Sequence, residues 1–168
     1  MISERMQQAL NEQINREFYS AYLYLAMSAY CDARGLPGFA HWMRMQFEEE
    51  RMHAIRFFDY LRSRDGKIEL GSIEEPPSEF GSPTEIFEKT LEHERFITGC
   101  IDELMDVALA ERDYATQSVL QWFVNEQVEE ESGVNEILAE LRLVGDARGG
   151  LMMLNQKLGG RAAPSIPA

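Results

Sequence analysis

Cysteine is scarce in this sequence: Cys31 and Cys100 stand far apart among 168 residues and form no C-x-x-C pair. That excludes a thiolate zinc knuckle and a disulfide-dense secreted framework, and it favours a reducing compartment. Positive charge is in short supply too, with sixteen Lys and Arg against twenty-nine Asp and Glu, a formal net charge of −13. Such a balance offers nothing to a phosphate backbone, so nucleic acid is excluded as a partner and cations are favoured. No apolar run approaches the roughly 18 to 20 residues of a membrane span, so no membrane partner is expected. The opening residues, MISERMQQAL, are charged and have no apolar h-region, so the reading expects no secretory leader and a cytoplasmic location. Prolines number six, and no alternating strand pattern appears.

What is present is long helical periodicity, punctuated by glycine and proline. Ser3 opens a first helix running to about Arg34, and Gly35 ends it; Pro37 starts a second, running to about Arg64. The short link makes these two antiparallel neighbours. Asp65 to Ser82 contains Gly66, Gly71, Pro76, Pro77 and Gly81 and is read as a long connection. Ser82-Pro83-Thr84-Glu85 has the form of an N-cap and first turn, opening a third helix to about Glu111, and a turn at Arg112-Asp113 leads to a fourth ending near Val144. A connection of that length stretches to roughly 60 Å against about 42 Å for a 28-residue helix. It can therefore cross the whole bundle and set the second and third helices parallel. Residues Asp146 to Leu158 are expected to form a short fifth helix. The reading is thus an all-α four-helix bundle with a long crossover between helices 2 and 3 and a short fifth helix: one domain over 1–158, then a mobile tail over 159–168.

Following the core-facing positions at spacings of three and four gives one stripe per helix. They are Leu10, Ile14, Glu17, Ala21, Tyr24, Ser28; then Phe39, Met43, Gln46, Glu50, His53, Phe57, Tyr60; then Phe87, Thr90, Glu94, Ile97, Ile101, Leu104, Ala108; and Leu120, Phe123, Gln127, Glu130, Val134, Ile137, Leu141. Each is apolar at its ends and polar in its middle. Glu17, Glu50, Glu94 and Glu130 fall at similar heights and should converge. Four buried carboxylates with no Lys or Arg in their stripes lose hydration and repel one another, so a cation is required among them. Two divalent ions would balance the four carboxylates, with His53 as a neutral nitrogen ligand three residues from Glu50 on the same face. An oxygen-rich set with one imidazole suits iron or manganese rather than structural zinc, and iron is preferred. Single glutamates from two helices with a Glu-x-x-His from a third match most of the known carboxylate-bundle pattern.

Three segments carry a specific resemblance: NEQINREFYSAYLYLAMSAYC around Glu17, EEERMHAIRFFDYL around Glu50 and His53, and LQWFVNEQVEEE around Gln127 and Glu130. In this order they resemble the prokaryotic non-haem ferritins, over essentially Met1 to Leu158. The resemblance implies a first iron site at Glu17, Glu50 and His53, with Glu50 bridging to a second completed by Glu94 and Glu130. Gln127 would stand beside the second iron, Tyr24 beside the centre, and Trp122 nearby, chiefly as packing. Glu49, Glu126 and Glu129 match a third iron site toward the inner surface. The resemblance further implies a ferroxidase that oxidises Fe(II) with dioxygen or hydrogen peroxide, in a homo-oligomeric shell of twenty-four subunits that stores the ferric mineral. Helix 4 carries Gln127-x-x-Glu130 where bacterioferritins repeat Glu-x-x-His. Arg51 stands where their haem-ligating methionine would be, with Met52 one later, so no haem is expected. His41 and His93 lie off the polar constellation and are read as surface residues; Cys31 and Cys100 have no ligand spacing.

Overall fold

The computed structural model describes residues 2–145 and 147–165; Asp146, with which the fifth segment was expected to begin, and the last three positions of the tail lie outside the described residues. Five helices account for the regular structure there: α1 (Glu4–Ala33), α2 (Pro37–Ser63), α3 (Pro83–Ala110), α4 (Tyr114–Val144) and α5 (Arg148–Leu158). Each start has a local cause. The Ser3 hydroxyl accepts from the Met6 amide, Ser82 and Glu85 form a reciprocal capping box ahead of Pro83, and the Asp113 carboxylate accepts from the Thr116 amide. Helix α2 has no cap of its own, because Leu36 has no acceptor to offer. Asn155 on α5 supplies it instead, its Oδ1 accepting from the amides of Gly38 (2.8 Å) and Phe39 (3.3 Å). Gly38 is what lets α5 come so close, since a Cβ there would stand 1.6 Å from the Asn155 carbonyl oxygen.

The crossover is stitched along α1 in order. Gln7 accepts from the Lys67 amide, Asn11 bonds Lys67 and Glu69, Asn15 donates to the Ser72 carbonyl, and Tyr30 exchanges hydrogen bonds with Gly81. Chain position along the connection therefore advances with position along α1, which carries it from one end of the bundle to the other. Helix α3 consequently starts beside the start of α2, where Phe87 packs against Phe39 and Trp42 at ring-centroid distances of 5.9 and 5.0 Å. The parallel arrangement of α2 and α3 expected from the loop length is what the chain adopts.

Apolar packing falls into two clusters. One, around Tyr24, Met27, Phe39, Met43, Phe87 and Leu138, joins the end of α1, the starts of α2 and α3 and the end of α4 with α5. The other, around Leu10, Ile14, Phe57, Ile101, Leu120 and Phe123, joins the opposite ends. Between them lies a buried polar layer containing Gln13, Glu17, Ser20, Gln46, Glu50, His53, Glu94, Gln127 and Glu130. No described helix is long and apolar enough to cross a membrane.

Candidate metal centre

All four helices of the bundle send a carboxylate into this layer. Glu17, Glu50 and Glu94 are 1–2 % exposed and Glu130 9 %, so the sequence-derived convergence holds for all four. Glu17, Glu50 and His53 form one group whose ligand atoms lie within 4.8 Å of one another. His53 Nδ1 stands 3.2 Å from Glu50 Oε2. The ring is held edge-on by Trp122 and Phe123, with centroids at 5.5 and 5.8 Å, and the Arg56 guanidinium lies 4.0 Å from the Trp122 ring centroid. Trp122 is thus a packing residue against the imidazole.

Glu94 is oriented rather than clustered. Its Oε1 accepts from the Tyr24 hydroxyl and its Oε2 from Gln127 Nε2 at 3.3 Å, and Gln127 also donates to the Glu94 carbonyl and to Thr98 Oγ1. Glu130 accepts from Gln46 Nε2 across the bundle at 2.9 Å. It belongs to a second group with Glu49 and Glu126, again with ligand atoms within 4.8 Å. Glu130 therefore connects the inner layer to the flanking acidic cluster. Glu129 is exposed and outside that group of three, yet it lines the same cleft of about 390 Å³.

The electrostatics of the group favour a cation among its donors. Burial pushes the Glu17 carboxyl up to about 7, although Gln13 donates to it at 2.7 Å. Burial likewise carries Glu94 to about 7, despite Tyr24 and Gln127. Glu50 is driven well above the carboxylate range by burial first and then by the charges of Glu94, Glu17 and Glu130. Glu130 follows by burial and the charges of Glu94 and Glu49. Burial lowers His53 to about 4, so its imidazole is neutral and has a lone pair to give. Buried polar atoms are normally satisfied, but Glu17 Oε2, Gln46 Oε1 and His53 Nε2 are buried without a hydrogen-bond partner. An orphaned carboxylate oxygen, neighbouring carboxyls raised by burial first and, at Glu50, Glu94 and Glu130, by nearby carboxylate charge, and a neutral imidazole form a donor set that fits a hard divalent or trivalent cation.

Two sequence expectations need correction. His93 is not a surface residue: it is half-buried, with Nε2 2.7 Å from Ser20 Oγ and its ring against Tyr19 and Tyr24, and burial lowers it to about 4. His41 is also half-buried, its Nε2 2.8 Å from the Arg161 carbonyl oxygen. That contact belongs to a third difference, for the start of the expected mobile tail is tied down. Arg161 Nη2 donates to Glu49 Oε2 at 2.6 Å, Nη1 donates to the Trp42 carbonyl at 3.3 Å, and the guanidinium lies 4.5 Å from the Trp42 ring. Residues that stripe reading missed are Gln13 and Ser20. The spacing of four between Gln13 and Glu17 was the available signal for the first; for the second it was the spacing of seven from Gln13 along α1.

A ferritin-like domain matches residues 7–144. The bacterial non-heme ferritin of Bacteroides fragilis is 45% identical over 161 residues, covering 96% of this chain and all of its own length. That of Campylobacter jejuni is 40% identical over 156 residues, covering 93% of each chain. Among solved structures, the open-pore ferritin of the hyperthermophilic archaeon Archaeoglobus fulgidus superposes with a TM-score of 0.95 at 49% identity, covering 96% of this chain and 100% of that one. With that likeness running nearly end to end through the same helices that bring the carboxylates together, the chain belongs to the ferritin family.

Proposed function

We propose that the protein stores iron, oxidising Fe(II) to Fe(III) with dioxygen or hydrogen peroxide at a dinuclear centre and retaining the ferric product as mineral inside a homo-oligomeric shell of twenty-four subunits in the cytoplasm. The observation that carries this reading is the buried Glu17, Glu50 and His53 group, with an orphaned carboxylate oxygen and a neutral imidazole facing two further carboxylates and no counter-ion in their stripes. Glu17, Glu50 and His53 would hold one Fe(II), with Glu50 shared with a second held by Glu94 and Glu130. Gln127 and Tyr24 fix the orientation of Glu94, and Gln46 fixes that of Glu130, so the carboxylates are aimed before the substrate ions arrive. Hard carboxylate oxygens favour Fe(III) over Fe(II), which makes oxidation the downhill direction in this site. Glu49, Glu126 and Glu129 supply a third acidic station through which product passes toward the interior.

Fe(II) added aerobically to the purified protein tests this directly. Retention of hundreds of iron atoms per assembly, with elution near half a megadalton, is the expected result. Saturation at two or three irons per subunit would instead indicate an oxygenase or peroxidase acting on some other substrate, and elution near 20 kDa would remove the shell.

A further inference from the structure

Beside the dinuclear layer, the cleft that reaches Glu130 contains a cation supplied by the chain itself. Arg161 follows α5 and enters from the side of α2. Its guanidinium donates to Glu49 Oε2 at 2.6 Å and to the Trp42 carbonyl at 3.3 Å, and lies 4.5 Å from the Trp42 ring. The pair is largely withdrawn from water, with side-chain exposures of 24 % for Arg161 and 15 % for Glu49. The backbone is held separately, because His41 Nε2 bonds the Arg161 carbonyl oxygen at 2.8 Å. Glu49 is also one of the three carboxylates whose oxygens gather within 4.8 Å with those of Glu126 and Glu130. Gln46 lines the same cleft, and its buried Oε1 has no hydrogen-bond donor. The same glutamate is thus claimed by a guanidinium from one side and completes a metal-capable group on the other.

We propose that Arg161 is the resident counter-cation of the Glu49, Glu126 and Glu130 cluster, and that a divalent cation loads this cluster by displacing the Arg161 guanidinium from Glu49. Two positive charges so close together repel strongly in a partly desolvated cleft, so the incoming ion and the guanidinium exclude one another from full occupancy. Only the side chain has to move, since His41 keeps the backbone in place. Arg161 therefore sets the affinity of the outer cluster through its pair with Glu49, which is not among the proposed dinuclear ligands, and the cluster fills after the inner layer, where no described Lys or Arg is paired with Glu17, Glu50 or Glu94. This rests on the third acidic station proposed above at Glu49 and Glu126, with Glu130 as the carboxylate that the station shares with the dinuclear layer.

Calorimetric titration of the assembled, iron-free protein with Zn(II), a redox-silent probe, tests it. Arg161→Gln should bind Zn(II) at the outer cluster roughly tenfold more tightly than the unmodified protein. Arg161→Lys, which keeps the charge, should restore weak binding, and adding Glu49→Gln should abolish the outer class and so identify it. Lys157→Gln removes a cation of the same cleft that is paired with Glu140 instead, and should change the affinity far less. In a Trp122→Phe background, Trp42 emission should change as the outer class fills, because the guanidinium leaves its ring, and this response should vanish when Arg161→Gln is added. Unchanged or weaker outer binding in Arg161→Gln, or a Trp42 response that persists without Arg161, overturns the inference. Zn(II) binding at Glu17, Glu50 and His53 is read in the same titration: its absence would count against the ferroxidase reading, whereas its presence beside an outer class indifferent to Arg161 would count against this inference alone.

Discussion

Glu50 and His53, one turn apart on α2, meet at 3.2 Å between Oε2 and Nδ1 with both side chains shut off from solvent. A neutral imidazole beside a carboxyl that burial and the charges of Glu94, Glu17 and Glu130 keep from ionising is a pair of donors suited to a shared cation. Replacing His53 by Ala removes the sole nitrogen donor from that group of three. The initial rate of Fe(II) oxidation should fall at least about tenfold, while size exclusion shows the same oligomeric state as the unmodified protein, because His53 is buried inside the bundle and its loss leaves the outer surface unchanged. An initial rate equal to that of the unmodified protein would remove His53 from the centre.

The stability of the metal-free protein should depend on pH in an unusual sense. Glu17 and Glu94 are raised from 4.5 to about 7, so between these values the folded chain binds more protons than the unfolded one. Stability contributed there is present in full below about pH 4.5 and is lost as pH rises through 7; Glu50 and Glu130, raised further, extend the loss upward. His53 and His93, lowered from 6.5 to about 4, work the other way, losing stability as pH falls through that window. Above pH 6.5 the carboxyls act unopposed. The melting temperature of stripped protein should therefore drop between pH 6.5 and 8.5, and saturating Zn(II) should flatten the curve. Glu17→Gln should raise the stripped protein's melting temperature at pH 8 by several degrees and lose much of the gain from Zn(II). A melting temperature that climbs with pH across this range would contradict the repulsion argument.

Most of this could be seen before folding. Every position of the four stripes is buried except Ser28 and Tyr60, each at the C-terminal end of its stripe, where a side chain can lean out: Ser28 bonds the Ala40 carbonyl and the Tyr60 hydroxyl meets Thr116 and Arg64. Periodicity sufficed because burial in a bundle repeats with the helix. It failed where one helix faces two neighbours. Helix α1 packs on α2 and α3 together, so Met6, Gln13, Ser20 and Met27, seven apart, are buried on a second line that one stripe omits. His93 was misread for a related reason, since its ring folds back onto Ser20 of that second line. Arg161 was illegible, as a Gly-rich tail gives no periodicity from which to place a long side chain.

The Asn155 cap supports a prediction about stability that leaves chemistry aside. Asn155→Leu removes the acceptor for the Gly38 and Phe39 amides and should cost about 1 to 2 kcal/mol in chemical denaturation, the usual loss for an N-cap. Asn155→Asp keeps the acceptor and adds a negative charge at a helix N-terminus, so it should retain most of that stability. If the two variants melt alike, hydrogen bonding from α5 to α2 is not what holds the fifth helix down.

Tyr24 separates an orienting role from a redox role. Its hydroxyl donates to Glu94, and burial together with the nearby carboxylates keeps the phenol protonated well beyond neutral pH. A donor to the ionised form of a carboxyl lowers its pKa, and this bond is the first of the two that hold Glu94 down against burial. Tyr24→Phe deletes the donor and keeps the ring against His93. Glu94 should then ionise only at higher pH, so the acidic limb of the profile of initial Fe(II) oxidation rate against pH should move upward, with rates converging on those of the unmodified protein at alkaline pH. A residue that served by giving up an electron would behave differently: its loss would change how many Fe(II) are oxidised per oxidant consumed and would depress the rate at every pH. Measuring the pH profile and the Fe(II)-to-oxidant ratio on the same variant decides between them. An acidic limb that stays in place would show that the Tyr24 to Glu94 hydrogen bond does not set the ionisation of the centre.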